Sequence, residues 1–304
     1  MSFADELKRI MDPTAIRTGE PMSRHTTFRI GGPADYFVEP SSEELMGVID
    51  LCRKEHIAHI FIGNGSNLLV GDLGIRGVVI CFGRRMGDTS VEIKGNRGFI
   101  TAGAGAMLSS VASLAASNDL AGMEFASGIP GTVGGGIFMN AGAYGGELKD
   151  ILDSVTVLTR AGKTEVWDKS RYNGGYRQSA VSKEGAIALK AVFKLPVGNP
   201  AKIKEKTEEL KEKRIAKQPL DMPSAGSTFK RPKGQFAGKL IQDAGLRGFT
   251  VGGAQVSEKH CGFVVNTGHA TARDVFDLIK EVTEKVRADS GIVLEPEIRI
   301  IGEF

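Results

Sequence analysis

Apolar and polar positions change period repeatedly over the first two hundred residues. Tyr36–Glu39 is strand-like, and Leu45, Met46, Val48, Ile49 and Leu51 then fall at helical spacing, with Ser41 and Glu44 in front of them as a capping-box signature. His59–Gly63 predicts a second strand, the apolar run Gly77–Phe82 a third and Arg97–Ala102 a fourth, and a helix passes through Val111 and Leu114. Strand and helix periods in succession predict a mixed architecture.

Beyond residue 200 the pattern is different. Ala201–Lys217, AKIKEKTEELKEKRIAK, is rich in strong helix formers with few apolar positions and stops before Pro219, as a largely solvated connector would. The last helix is better marked: Thr271 caps it, Val275, Leu278, Ile279, Val282 and Val286 line one face, and Gly291 follows its end. The closing run EIRII is β-like.

Composition narrows the class. A chain of 304 residues exceeds the usual single core, so two or three packed units are expected. With 41% hydrophobic and 25% charged residues it reads as an ordinary globular protein. A net charge of +3 without a dense basic tract argues against a nucleic-acid partner, and the absence of a long apolar run argues against a membrane one. Met1–Ile10 lacks the apolar core of a signal peptide, which sets the expectation of a cytoplasmic protein. Cys52, Cys81 and Cys261 are far apart and read as packed thiols; with no histidine set at ligand spacing, no metal is expected.

The 40 glycines concentrate between Gly63 and Gly146. The first run, Gly63-Asn64-Gly65-Ser66-Asn67, follows a predicted strand as a phosphate-binding turn does, because glycine admits positive φ and lets backbone N–H groups approach an anion. The residues after it, LLVGDLGIRG, have no helical period, so the helix of a Rossmann fold is missing. The second run, Gly128-Ile129-Pro130-Gly131-Thr132-Val133-Gly134-Gly135-Gly136, continues into Asn140-Ala141-Gly142 and reads as a long loop. Two such runs predict a flat, extended ligand lying along bare backbone, with tight packing as the alternative.

GNGSNLLV, SGIPGTVGGGIFMNAGAYG, GGYRQS, PSAGSTFKRP and LEPEIRIIG, in that order, resemble the UDP-N-acetylenolpyruvoylglucosamine reductase family, and the likeness runs from about Thr26 to Gly302. The resemblance implies an α+β protein: an FAD-binding fold of the vanillyl-alcohol oxidase (PCMH) type in two subdomains, 1–82 with the strand 298–304 and 83–199, plus a third, α+β substrate-binding domain, 200–297. It implies non-covalent FAD, held by Gly63–Asn67, by Gly128, Ile129, Pro130, Gly131, Thr132, Gly134 and Gly135, and by Asn140, Ala141 and Gly142. NADPH is the implied electron donor, a UDP-sugar the substrate and a monomer the expected state. Because Tyr176-Arg177-Gln178-Ser179 is soon followed by the apolar segment Ala186–Leu195, the chain resembles the family's shorter form, without an inserted tyrosine loop.

Hydride delivered to an enol ether leaves negative charge on the adjacent carbon and carboxylate, and that charge must be stabilised and protonated. By motif match the resemblance gives these tasks to Arg177, a fork for the carboxylate, Glu297, a nearby acid, and Ser227, the proton donor to carbon; Glu295 is the rival of Glu297. Tyr176, Arg214, Lys217, Lys230 and Arg231 are the implied substrate contacts, with a solvated helix face as the plain alternative for Arg214. The competing function is a flavin oxidase of the same fold acting on an alcohol or sugar, which needs no such polar set. A binding module without turnover is the other.

Overall fold

A computed structural model describes residues 2–304. The chain forms two compact units, one of Met1–Ile16, Val38–Asn64 and Ile80–Arg214, the other of Arg17–Phe37, Gly65–Val79 and Ile215–Phe304. Of the three expected parts, 1–82 is divided between both units, 83–199 falls in the first, and 200–297 falls in the second from Ile215 onward.

In the first unit an antiparallel sheet has the order Thr164–Asp168, Leu152–Leu158, Ile187–Pro196, Arg97–Gly103, Thr89–Lys94. Ile100, Ala102, Val155, Val157, Phe193 and Leu195 bury one face by the two-residue alternation of a strand, against the helices Leu108–Ser117 and Val133–Met139. The helix Leu45–Lys54 begins with the expected reciprocal pair: Ser41 N–H donates to Glu44 Oε2 at 2.8 Å, and Glu44 N–H to Ser41 Oγ at 3.3 Å. The helix Pro200–Lys217 is largely solvated, as expected, with only Ile203 and Leu210 buried and Leu210 in this unit's core.

The second glycine run corrects the expectation of a continuous loop. Thr132 caps a helix, Val133–Met139, by accepting from Gly135 N–H at 3.4 Å. Helical glycine is unfavourable by about 1 kcal/mol per residue relative to Ala, so packing must require it here. A Cβ on Gly136 would meet Leu108 and Leu148 at 2.8 and 2.9 Å, and one on Gly134 would meet Ala104 at 3.0 Å. Gly136 is therefore a close-packing glycine and not a ligand surface.

The second unit is built on the helix Ala272–Ser290. Thr271 and Asp274 form its capping box, Asp72 accepts from the N–H groups of Ala272 and Arg273, and Gly291 ends it at φ +72°. Its apolar stripe packs with Phe28, Ile30, Leu69, Ile241 and Val264. The residues after Asn67 form a strand, Leu68–Val70, paired in parallel with Arg299–Ile301, so the closing β-like run returns to the first glycine turn and no Rossmann helix intervenes.

Candidate functional site

Both glycine runs meet in the first unit. Asn64 Nδ2 donates to Pro130 O at 2.7 Å, and a Cβ on Gly63 would collide with Thr132 Oγ1. Gly65, at φ +61°, backs in turn onto His25 O within the second unit. Among the described residues, no N–H of Asn64, Gly65, Ser66 or Asn67 donates to another protein group. Four adjacent free donors on a turn stripped of side chains suit the pyrophosphate of a dinucleotide, so the residues present fit FAD. No three His, Cys, Asp or Glu side chains of the described residues group as a metal site.

Beyond the helix Val133–Met139 the site residues separate into supports and presented groups. Asn140 is buried at φ +46°. Its amide donates to Glu147 Oε2 at 2.9 Å and Gly175 O at 3.0 Å while its Oδ1 accepts from Lys149 N–H at 2.9 Å, so its side chain holds the fold together. Gly175 and Gln178 bond each other's backbones at 2.8 and 3.3 Å, which makes Tyr176-Arg177 the tip of a tight turn, with Arg177 at φ +54°. The guanidinium lies 5.3 Å from the Tyr176 ring centre and reaches Gly142 O at 3.5 Å. Positive φ in a residue with a long side chain is uncommon and marks a local strain that the surroundings must offset. Five residues of helix, Ala180–Glu184, then lead into the strand from Ile187, leaving no room for an inserted loop.

Arg214 does not lie on a solvated face: it is half-buried, and a Cβ on Gly128 would come within 2.7 Å of its Nη1. Burial holds its pKa below the ordinary arginine value.

In the second unit Ser227 and Glu297 come together with the far half of the first glycine turn. Ser227 bridges to Phe263, and Thr228 O next to it accepts from Glu297 N–H at 2.7 Å. Asn67 Nδ2 donates to Glu297 O at 3.3 Å, while Asn67 O accepts from Arg299 N–H at 2.9 Å. Glu295, the rival acid, is exposed and paired with Lys230 Nζ at 3.0 Å. Arg231 stands over Phe236 at 4.7 Å, and Lys217 is close enough to His260 to help lower its pKa.

Two neighbours escaped the sequence reading. Tyr144 is exposed at φ +51° and acts electrostatically on Arg214; its place in the quoted NAGAYG run was the available signal. Glu147 had none: Asn140 and Lys149 are near it in the chain, but only folding brings it under the charge of Arg177.

The model of the UDP-N-acetylenolpyruvoylglucosamine reductase C-terminal domain matches residues 218–301, and that of an FAD binding domain matches 34–167, which makes the fold α+β with a PCMH-type flavin domain. The UDP-N-acetylenolpyruvoylglucosamine reductase of Agathobacter rectalis is 54% identical, covering 100% of this chain and 99% of its own, and that of Clostridioides difficile is 50% identical over 98% and 97%. The crystal structure of UDP-N-acetylenolpyruvylglucosamine reductase from Thermus caldophilus superposes with a TM-score of 0.78 at 34% identity, covering 94% of this chain and 99% of that one. Matched over its whole length at this level of identity, the chain belongs to the UDP-N-acetylenolpyruvoylglucosamine reductase family.

Proposed function

We propose that Arg177, Ser227 and Glu297 divide the polar work of the reaction. The protein is an FAD-dependent oxidoreductase that uses NADPH to reduce the enolpyruvyl group of UDP-N-acetylenolpyruvoylglucosamine to the lactyl ether of UDP-N-acetylmuramate, a step of peptidoglycan precursor synthesis. FAD, when bound, would supply the hydride, drawn from NADPH. The terminal carbon of the double bond gains the hydride and the carbon next to the carboxylate gains a proton. Arg177 receives the carboxylate on a permanently charged planar fork. Ser227 gives its hydroxyl proton to carbon, and Glu297 keeps the charged carboxylate intermediate protonated. The turn Gly63–Asn67, the segment Gly128–Gly135 and the stretch Asn140–Gly142 would hold the cofactor, and Tyr176, Arg214, Lys217, Lys230 and Arg231 receive the nucleotide. The protein acts as a cytoplasmic monomer. Among the described residues no helix is long and apolar enough to cross a membrane.

The observation that supports the roles of Ser227 and Glu297 is that Glu297 N–H donates to Thr228 O and Asn67 Nδ2 to Glu297 O, which ties the backbone of the acid to that beside the serine and to the last residue of the glycine turn. An anaerobic two-step titration tests it. NADPH bleaches the yellow protein and the enolpyruvyl nucleotide restores the colour; Ser227→Ala leaves bleaching nearly intact and slows recolouring by about 10²-fold. Equal slowing of both steps removes Ser227 from the proton-donor role, and reoxidation by oxygen in place of the nucleotide would favour the oxidase alternative.

A further inference from the structure

The turn that presents Arg177 is pinned on both sides to the last turn of the helix Val133–Met139. Tyr172 Oη donates to Ile137 O at 2.8 Å, Ser179 Oγ donates to Phe138 O at 3.0 Å, and Asn140 Nδ2 donates to Gly175 O between them. That same Asn140 nitrogen also donates to Glu147 Oε2, so a single amide group separates the Glu147 carboxylate from the backbone that carries Arg177. Lys149 Nζ holds the carboxylate at 2.7 Å, and Lys149 N–H holds Asn140. Glu147 is half-buried, with an acid form disfavoured first by the Lys149 ammonium, then by the Asn140 amide, and further by the charge of Arg177 itself. The guanidinium itself reaches Gly142 O at 3.5 Å, and Gly142 is the antiparallel partner of Glu147, so the carboxylate and the arginine meet on one short ribbon.

We propose that Glu147 is a positioning residue for the reaction: anchored by Asn140 and Lys149, it sets the pose in which Arg177 receives the substrate carboxylate. The inference rests on the carboxylate-binding role given to Arg177 above. Glu147 touches no reacting atom; it acts through the arginine. The cost of the positive φ at Arg177 is offset by the three hydrogen bonds that pin the turn, and Glu147 restrains the rest of the side chain.

Two nucleotides separate this role from a general structural one. UDP-N-acetylmuramate carries the carboxylate, and UDP-N-acetylglucosamine lacks it. Glu147→Gln keeps an oxygen for Asn140 and removes the charge. Calorimetric titration of the FAD-loaded protein is expected to show UDP-N-acetylmuramate bound about tenfold more weakly by this variant and UDP-N-acetylglucosamine bound as before. In an Arg177→Ala background the exchange adds nothing further, because the group it positions is gone. Equal weakening of both nucleotides, unchanged or tighter binding of UDP-N-acetylmuramate, or an additive double variant overturns the proposal. If Arg177→Ala alone leaves the preference for the carboxylate nucleotide intact, it is the underlying role of Arg177 that fails.

Discussion

Asn67 and Glu297 are bonded through opposite ends of the asparagine: its side-chain amide donates to Glu297 O, and its own carbonyl accepts from Arg299 N–H two residues further on. The second contact is part of the parallel pairing that joins Leu68–Val70 to Arg299–Ile301. The last residue of the first glycine turn thus helps decide where Glu297 stands.

Replacing Asn67 with Ala removes the side-chain bond and keeps the backbone one. The expected result is a variant that retains FAD and is bleached by NADPH at close to the normal rate. Recolouring by the nucleotide slows about tenfold or more, as a displaced acid group predicts. Stopped-flow measurement of the two steps decides it, and equal slowing of both would make Asn67 a cofactor ligand alone.

Tyr172 is fully buried, with its hydroxyl on Ile137 O, and burial pushes its pKa well above the ordinary tyrosine value, so it stays a neutral donor. Tyr172→Phe leaves that carbonyl without its side-chain donor in the core and should lower stability by about 1–3 kcal/mol. A urea titration followed by circular dichroism measures the difference. A midpoint within error of the wild type would mean that the hydroxyl does not secure the Arg177 turn.

His260 Nδ1 accepts from Gly262 N–H at 3.1 Å, and the ring packs edge-on against Phe263. Burial lowers its pKa, and Lys217 adds to the shift. Above the ordinary value of 6.5 the histidine is neutral folded or unfolded and contributes no pH dependence. Below it the unfolded chain takes up the proton first, so stability falls with pH until the folded pKa is passed. The urea midpoint should therefore drop as the pH falls below about 6.5, and His260→Gln should lessen that drop. An identical drop in the variant would assign the acid sensitivity to other groups.

Local signals in the chain were enough for the elements that obey local rules. The stripe from Val275 to Val286, the cap at Thr271 and the stop at Gly291 each act within a few residues, so the helix Ala272–Ser290 is legible end to end. The glycine run Gly128–Gly136 was not, because its glycines answer to Ala104, Leu108 and Leu148, side chains that are neighbours only after folding. The motif places Asn140 in the cofactor stretch but carries no sign of its side-chain bonds to Glu147, Gly175 and Lys149, which only the folded chain brings together.

By itself the sequence determined the family and the order of strands and helices, since motif order and periodicity are properties of a linear string. Only the tertiary structure decided that Asn140 and Glu147 stand behind Arg177 and that Asn67 stands behind Glu297. Each of those relations is a hydrogen bond or charge contact between segments far apart in the chain, and such contacts leave no trace in local spacing.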